Sequence, residues 1–184
     1  MAGITRFKSE NLGSVLKIQA APVEAFRAFP AKPLITVNET LLQFRAGVTW
    51  YDLYCSPQTM GYQMDGKEDG NGKYYEHQVV GFVPGDEPDL EAQWKLYQSQ
   101  DWILKITLAT GRQKLIGTPR RPLTFETSQS TGTTPGDPAG TRITFSGQSM
   151  DRSPFLINNT APIQLRAVLL CLVARIIFVF TNKA

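Results

Sequence analysis

Trp102-Ile-Leu-Lys-Ile-Thr-Leu-Ala109 is the stretch on which the fold class turns. Trp102, Leu104, Ile106 and Leu108 fall on one side of an extended backbone, and a period of two marks a strand in a sheet. Thr110-Gly111-Arg112 then turns the chain into a second strand, Gln113 to Gly117. Pro119-Arg-Arg-Pro122 makes a proline-bracketed bend before a strand around Leu123 to Thr127. Ser128 to Gly140 reads as a long polar loop, answered by a strand from Thr141 to Gln148.

Upstream the same alternation recurs. Val15, Leu16, Ile18 and Ala20 form a short strand that ends at Pro22. Leu41 to Arg45 and Val48 to Tyr54 read as two strands joined by a tight Ala46-Gly47 turn. Thr59 to Met64 continues with Met60, Tyr62 and Met64 on one side. Asp65 to Gly72 is a polar, glycine-rich hairpin tip, and the returning strand runs from Lys73 to about Val83. A single helix follows, near residues 87–100: Asp86 offers an N-cap, Pro88 sits in the first turn, and Leu90, Trp94 and Tyr97 make one apolar stripe. Many short strands with one inserted helix predict a mainly β domain over residues 1–157, an antiparallel β-sandwich or barrel flanked by one α-helix. An apolar C-terminal tail, 158–184, stands apart from it.

The chain has 184 residues, enough for one domain with a core. Its net charge of +3 is small and its Lys and Arg residues are spread along the sequence, which places specific nucleic-acid binding behind other functions. Cys55 and Cys171 lie in unrelated contexts, so neither a disulfide framework nor a metal-ligand spacing is present and a reducing interior is the default compartment. The first residues contain no continuous apolar run of the secretory kind.

The chemistry-bearing patterns are few. A hydrolytic triad needs a base, and the one histidine, His77, lies in a strand with no G-x-S-x-G elbow to accompany it. Phosphate-cradling glycine loops are absent from the sequence, and Gly66, Gly70 and Gly72 are spaced for a hairpin. Asp65, Asp69 and Asn71 would offer oxygen ligands to calcium, but Lys67 occupies the middle ligand position and no glutamate closes the loop. Asp52 and Glu76 are the strand carboxylates that a glycosidase pair would require. No enzyme activity, cofactor or metal is expected on these grounds. The aromatic residues Trp50, Tyr51, Tyr54, Tyr62, Tyr74 and Tyr75 concentrate in the first half, as a protein interface or a sugar-binding platform would use them.

Paired strands, a glycine-rich hairpin, a single helix and a second set of strands together resemble the tail-tube and connector β-barrels of tailed bacteriophages and contractile injection systems. Most of the resemblance lies in Ile103-Leu-Lys-Ile-Thr107, Gly111, Lys114-Leu-Ile-Gly117 and Pro122-Leu-Thr-Phe125. Thr131-Gly132, Asp137-Pro-Ala-Gly140, Ile143-Thr-Phe145 and Ser153-Pro-Phe-Leu156 complete it, and it spans roughly residues 12 to 156. It implies a virion structural protein, assembled in the host cytoplasm, whose partners are copies of itself and other virion proteins. The alternatives are a carbohydrate-binding β-sandwich centred on Trp50, or a small protein anchored in a membrane through residues 163–181. Leu165 to Phe180 is nearly all apolar, yet as a helix it would rise about 24 Å, short of a hydrocarbon core of about 30 Å, and it carries Arg166 and Arg175. Packing of that tail against the domain or a neighbouring subunit is the other expectation.

Overall fold

The computed structural model describes residues 13–30, 35–70, 72–85, 87–131 and 138–157. Two β-sheets pack face to face. The first has six strands in the order β3-β12-β9-β8-β1-β5: Thr36–Asn38 (β3), Phe155–Ile157 (β12), Gln113–Ile116 (β9), Trp102–Leu108 (β8), Val15–Pro22 (β1) and Tyr51–Leu53 (β5). The second has four, β10-β11-β7-β6: Thr124–Ser130 (β10), Gly140–Ser149 (β11), Gly72–Pro84 (β7) and Gly61–Asp69 (β6). A two-stranded ribbon of Phe26–Ala28 (β2) and Gln43–Phe44 (β4) lies outside the first sheet. The pairings are antiparallel except β12 with β3. The described residues form a mainly β sandwich with one α-helix, Pro88–Gln98 (α1).

Alternation sends Trp102, Leu104 and Ile106 of β8 inward with Ile18 and Ala20 of β1, against Phe125, Ile143, Phe145 and Val79 of the other sheet. Helix α1 closes this core: Tyr97 stacks on Trp102 at 4.3 Å, and Trp94 lies against Phe125. The indole N–H of Trp102 donates to the Tyr97 carbonyl at 2.7 Å, so the ring is buried without an orphaned donor. Burying each such apolar side chain contributes about 1.5–3 kcal/mol.

β8 is buried on its other face as well. Ile103 joins Ala21, Leu115, Leu156 and Val37 in a second core, roofed by Phe26, Phe29, Phe44 and Trp50. Phe26, Phe44 and Trp50 meet with ring centroids 4.7–5.6 Å apart. Lys105 shares this face: its ammonium binds Glu39 at 2.8 Å and sits 5.2 Å from the centre of the Trp50 ring. The second core explains why residues 102–106 are all buried although only alternate ones are needed for a one-sided strand.

Several sequence expectations are corrected here. The Ala46-Gly47 turn forms, with Gly47 at φ +80, but the flanking strands do not pair with each other. β4 pairs with β2 and β5 with β1, because a turn reverses the chain without choosing its partner. The tip at 65–72 is ladder almost to its end, with register running through Asp69↔Gly72. β10 extends to Ser130 and β11 begins at Gly140, which shortens the loop between them. Helix α1 starts from Glu87, which makes no side-chain cap bond; Asp86, the expected cap, lies outside the described residues. The apolar tail, residues 158–184 with its 163–181 anchor and Cys171, also lies outside them. Among the described residues no helix is long and apolar enough to cross a membrane.

Candidate assembly edges and an arginine-lined groove

The six aromatic residues expected at an interface do not form one surface. Trp50 is half-buried in the second core, so it offers no open platform for a sugar ring. Tyr62 points into the sandwich, whereas Tyr74 and Tyr75 are half-buried on β7 near the hairpin end. Tyr51 and Tyr54 remain outside, 46% and 72% exposed, on and just after β5. Among the described residues no ring contact joins any two of the six.

The position of Tyr51 and Tyr54 matters because β5 is an edge strand. At the opposite edge of the same sheet, β3 is flanked by Ile35, 86% exposed, and by Leu41, with Ile157 exposed on the neighbouring β12. Each end of the six-stranded sheet therefore carries exposed apolar or aromatic side chains, beside Asp52 on β5, and among the described residues no further strand pairs with β3 or β5. The edges of the four-stranded sheet differ. β6 ends in Lys67, Glu68 and Asp69, and β10 presents Glu126, Ser128, Gln129 and Ser130, all exposed. Charged and polar edges discourage pairing with another chain.

Asp52 and Glu76 stand on different sheets, each held by a lysine: Lys17 at 2.9 Å and Lys67 at 2.6 Å. The hydrogen bonds from Lys17 and then Gln19 hold the Asp52 carboxyl below its usual range. Neither carboxylate faces the other across a cleft. Asp65 and Asp69 lie four residues apart on an extended strand, about 13 Å, too far to converge on one calcium ion. Among the described residues no three potential ligands gather around a metal position. Cys55 is buried against Gly81, and burial pushes its thiol up to about 11.

His77 has partners that its sequence surroundings did not reveal. Its Nε2 lies 2.6 Å from the Ser149 hydroxyl, and its Nδ1 lies 3.0 Å from the Tyr62 phenol. The phenol in turn meets the Ser153 hydroxyl at 2.6 Å. A serine, a histidine and a third polar group is the layout of a nucleophile with its base, so the direction of the hydrogens decides what it can do. Ser149 has one hydroxyl hydrogen and also makes a close contact with the carbonyl oxygen of Asp151. That oxygen only accepts, so it takes the hydrogen. His77 Nε2–H must then donate to Ser149, and Nδ1 accepts from Tyr62. Burial, and next the Lys114 ammonium, hold His77 below the ordinary histidine value of 6.5, which keeps the imidazole neutral as this wiring requires. The serine receives a proton donor where a catalytic serine needs a lone pair. The chain of bonds ties β6, β7 and β11 to the segment that crosses into β12.

That crossing segment is one wall of a groove of about 690 Å³. A second wall is the turn Thr118–Arg121, closed by paired backbone bonds at 3.0 Å between Thr118 and Arg121. The turn lies close to β11 because residue 147 is glycine: a Cβ there would come within 2.8 Å of the Pro122 carbonyl oxygen. β2 and the residues beside it form the third wall, and the buried Val37 and Leu115 of the second core lie beneath. Arg27, Arg45, Arg120, Arg121 and Arg152 line the groove, against the carboxylates of Glu24 and Asp151. Among the described residues none of the five makes an ion pair; Arg152 lies over the Tyr75 ring at 5.6 Å. Basic residues that are scattered in the sequence converge in space, so their spacing along the chain concealed a positive surface.

No protein-family model, curated protein or solved structure matches the chain.

Proposed function

We propose that the protein is a non-enzymatic structural component of a virion tail or connector, and that it works by head-to-tail pairing of its six-stranded sheet. The observation that carries this is the contrast in edges. Ile35 and Leu41 flank β3, with Ile157 on the adjoining β12, and Tyr51 and Tyr54 stand either side of Asp52 at β5, so among the described residues exposed apolar and aromatic side chains collect at opposite ends of one sheet. The two edges differ, so a contact between them is heterologous and propagates until the rotation per subunit closes a ring. The wiring of His77 supports a structural reading of the polar cluster that brings serine and histidine together. The tail or connector assignment rests on the sequence resemblance.

The test measures the size of the purified full-length chain across concentration, by mass photometry and negative-stain imaging. Closed rings or head-to-tail chains are expected. Ile35→Lys and Tyr54→Lys should each abolish them, since a charge on either edge disfavours pairing, while both exposed sites leave the thermal midpoint within a few degrees. Glu68→Lys, on the charged edge, should leave assembly unchanged. A chain that stays monomeric at every concentration, or rings indifferent to both edge charges, would overturn the proposal.

A further inference from the structure

The groove holds an excess of arginine that the other described residues leave without an ion pair. Elsewhere the described carboxylates with ion pairs are matched by lysines: Asp52 by Lys17, Glu76 by Lys67, Glu68 by Lys73 and Glu39 by Lys105. One acidic stretch is not matched. Glu87, Asp89 and Glu91, at the start of α1, are exposed and make no ion pair among the described residues. They alternate with Pro88, which is exposed, and Leu90, which is half-buried.

The two features sit at opposite ends of the sandwich. His77, on the groove wall, and Pro84, just before α1, are seven residues apart on β7, about 24 Å along an extended strand. One copy therefore cannot place its own acidic stretch in its own groove. Arginine suits this contact better than lysine, because its planar fork binds a carboxylate through two parallel hydrogen bonds.

We propose that the groove of one copy is the socket for the acidic start of α1, Glu87 to Glu91, of a second copy, so that copies stack end to end. This rests on the assembly reading above but uses a different surface. Edge pairing runs perpendicular to the strands, whereas this contact runs along β7.

Charge reversal in full-length chains tests it, with all of the chains carrying Ile35→Lys so that edge pairing is blocked. One chain adds Arg120→Glu with Arg121→Glu, a second adds Glu87→Lys with Glu91→Lys, and a third adds all four. The four positions are exposed, so each chain should fold. Sedimentation at low salt is expected to show stacked species with Ile35→Lys alone. Either reversal should weaken stacking at least about tenfold, a difference of about 1.4 kcal/mol, and the four-fold variant should recover it. High salt should dissolve the stacks. Failure of the four-fold variant to recover stacking, or stacks indifferent to either reversal, overturns the socket. So does a chain that never stacks but binds a labelled single-stranded oligonucleotide through Arg120 and Arg121, which would make the groove a nucleic-acid site. Edge pairing is judged separately, by rings in the chain without Ile35→Lys, so the two proposals fail independently.

Discussion

The two sheets of this sandwich face the same core and yet end differently. The six-stranded sheet is covered on both faces, by the four-stranded sheet on one side and by the aromatic roof of Phe26, Phe44 and Trp50 on the other. Among the described residues the four-stranded sheet is covered on one face only, and its outer face presents Arg142, Gln148, Glu126 and Gln78. With both faces of the larger sheet covered, its exposed apolar and aromatic side chains collect toward its two ends, at Ile35 and Ile157 and at Tyr51 and Tyr54, with Leu16 on the interior strand β1 the exception. The smaller sheet keeps its edges charged. Faces decide how the chain folds, and the edges left over are the surfaces on which the proposed assembly depends.

The comparison is broken most severely in the shared core. Phe145 is fully buried and touches Phe125 and Trp102, so Phe145→Ala should cost about 3–5 kcal/mol in denaturant unfolding and loosen both sheets together. The second core should respond less. Lys105→Ala removes a nearly buried ammonium from a more exposed Glu39, an effect of about 2 kcal/mol, between that of a buried and an exposed pair. Lys105→Met, which keeps the stem packed on Trp50, should recover part of it. The smallest effect lies where the sheets are tied together. His77 titrates lower in the folded chain than the 6.5 of an unfolded histidine, so the unfolded state takes up its proton first as pH falls. Stability should be flat above pH 7 and fall between 6.5 and the lower folded value. The slope is at most about 1.4 kcal/mol per pH unit, and His77→Gln should flatten it.

Much of the fold is legible in the sequence, for a physical reason. β1, β8, β9, β11 and the β6–β7 hairpin each contain at least two alternations, and α1 carries a stripe at helical spacing. β2, β3 and β12 are three residues long, shorter than two turns of the pattern, and nothing in Phe26-Arg-Ala28 or Thr36-Val-Asn38 marks them as strands. The buried outer face of β8 was equally hidden, since Lys105 reads as a solvent residue until Glu39 and Trp50 are placed around it. The groove and the His77 cluster were illegible because register assembles them. Ser149 reaches His77, and Ser153 reaches Tyr62, from more than seventy positions away, and the five arginines come from four separate segments.

The pairing of β12 with β9 has a mechanical consequence. In a ring closed through the sheet edges, any outward pull acts across the strands, along the direction of the backbone hydrogen bonds, so every ladder from β3 to β5 carries the whole load in series. The weakest is β12 on β9, where only Phe155↔Lys114 and Leu156↔Gln113 are in register, against seven pairs between β8 and β1. Tension around such a ring would part the subunit there before its core gave way. The Leu115 bond to the Pro154 carbonyl and the hydroxyls around His77 flank that seam, where they resist opening without filling space.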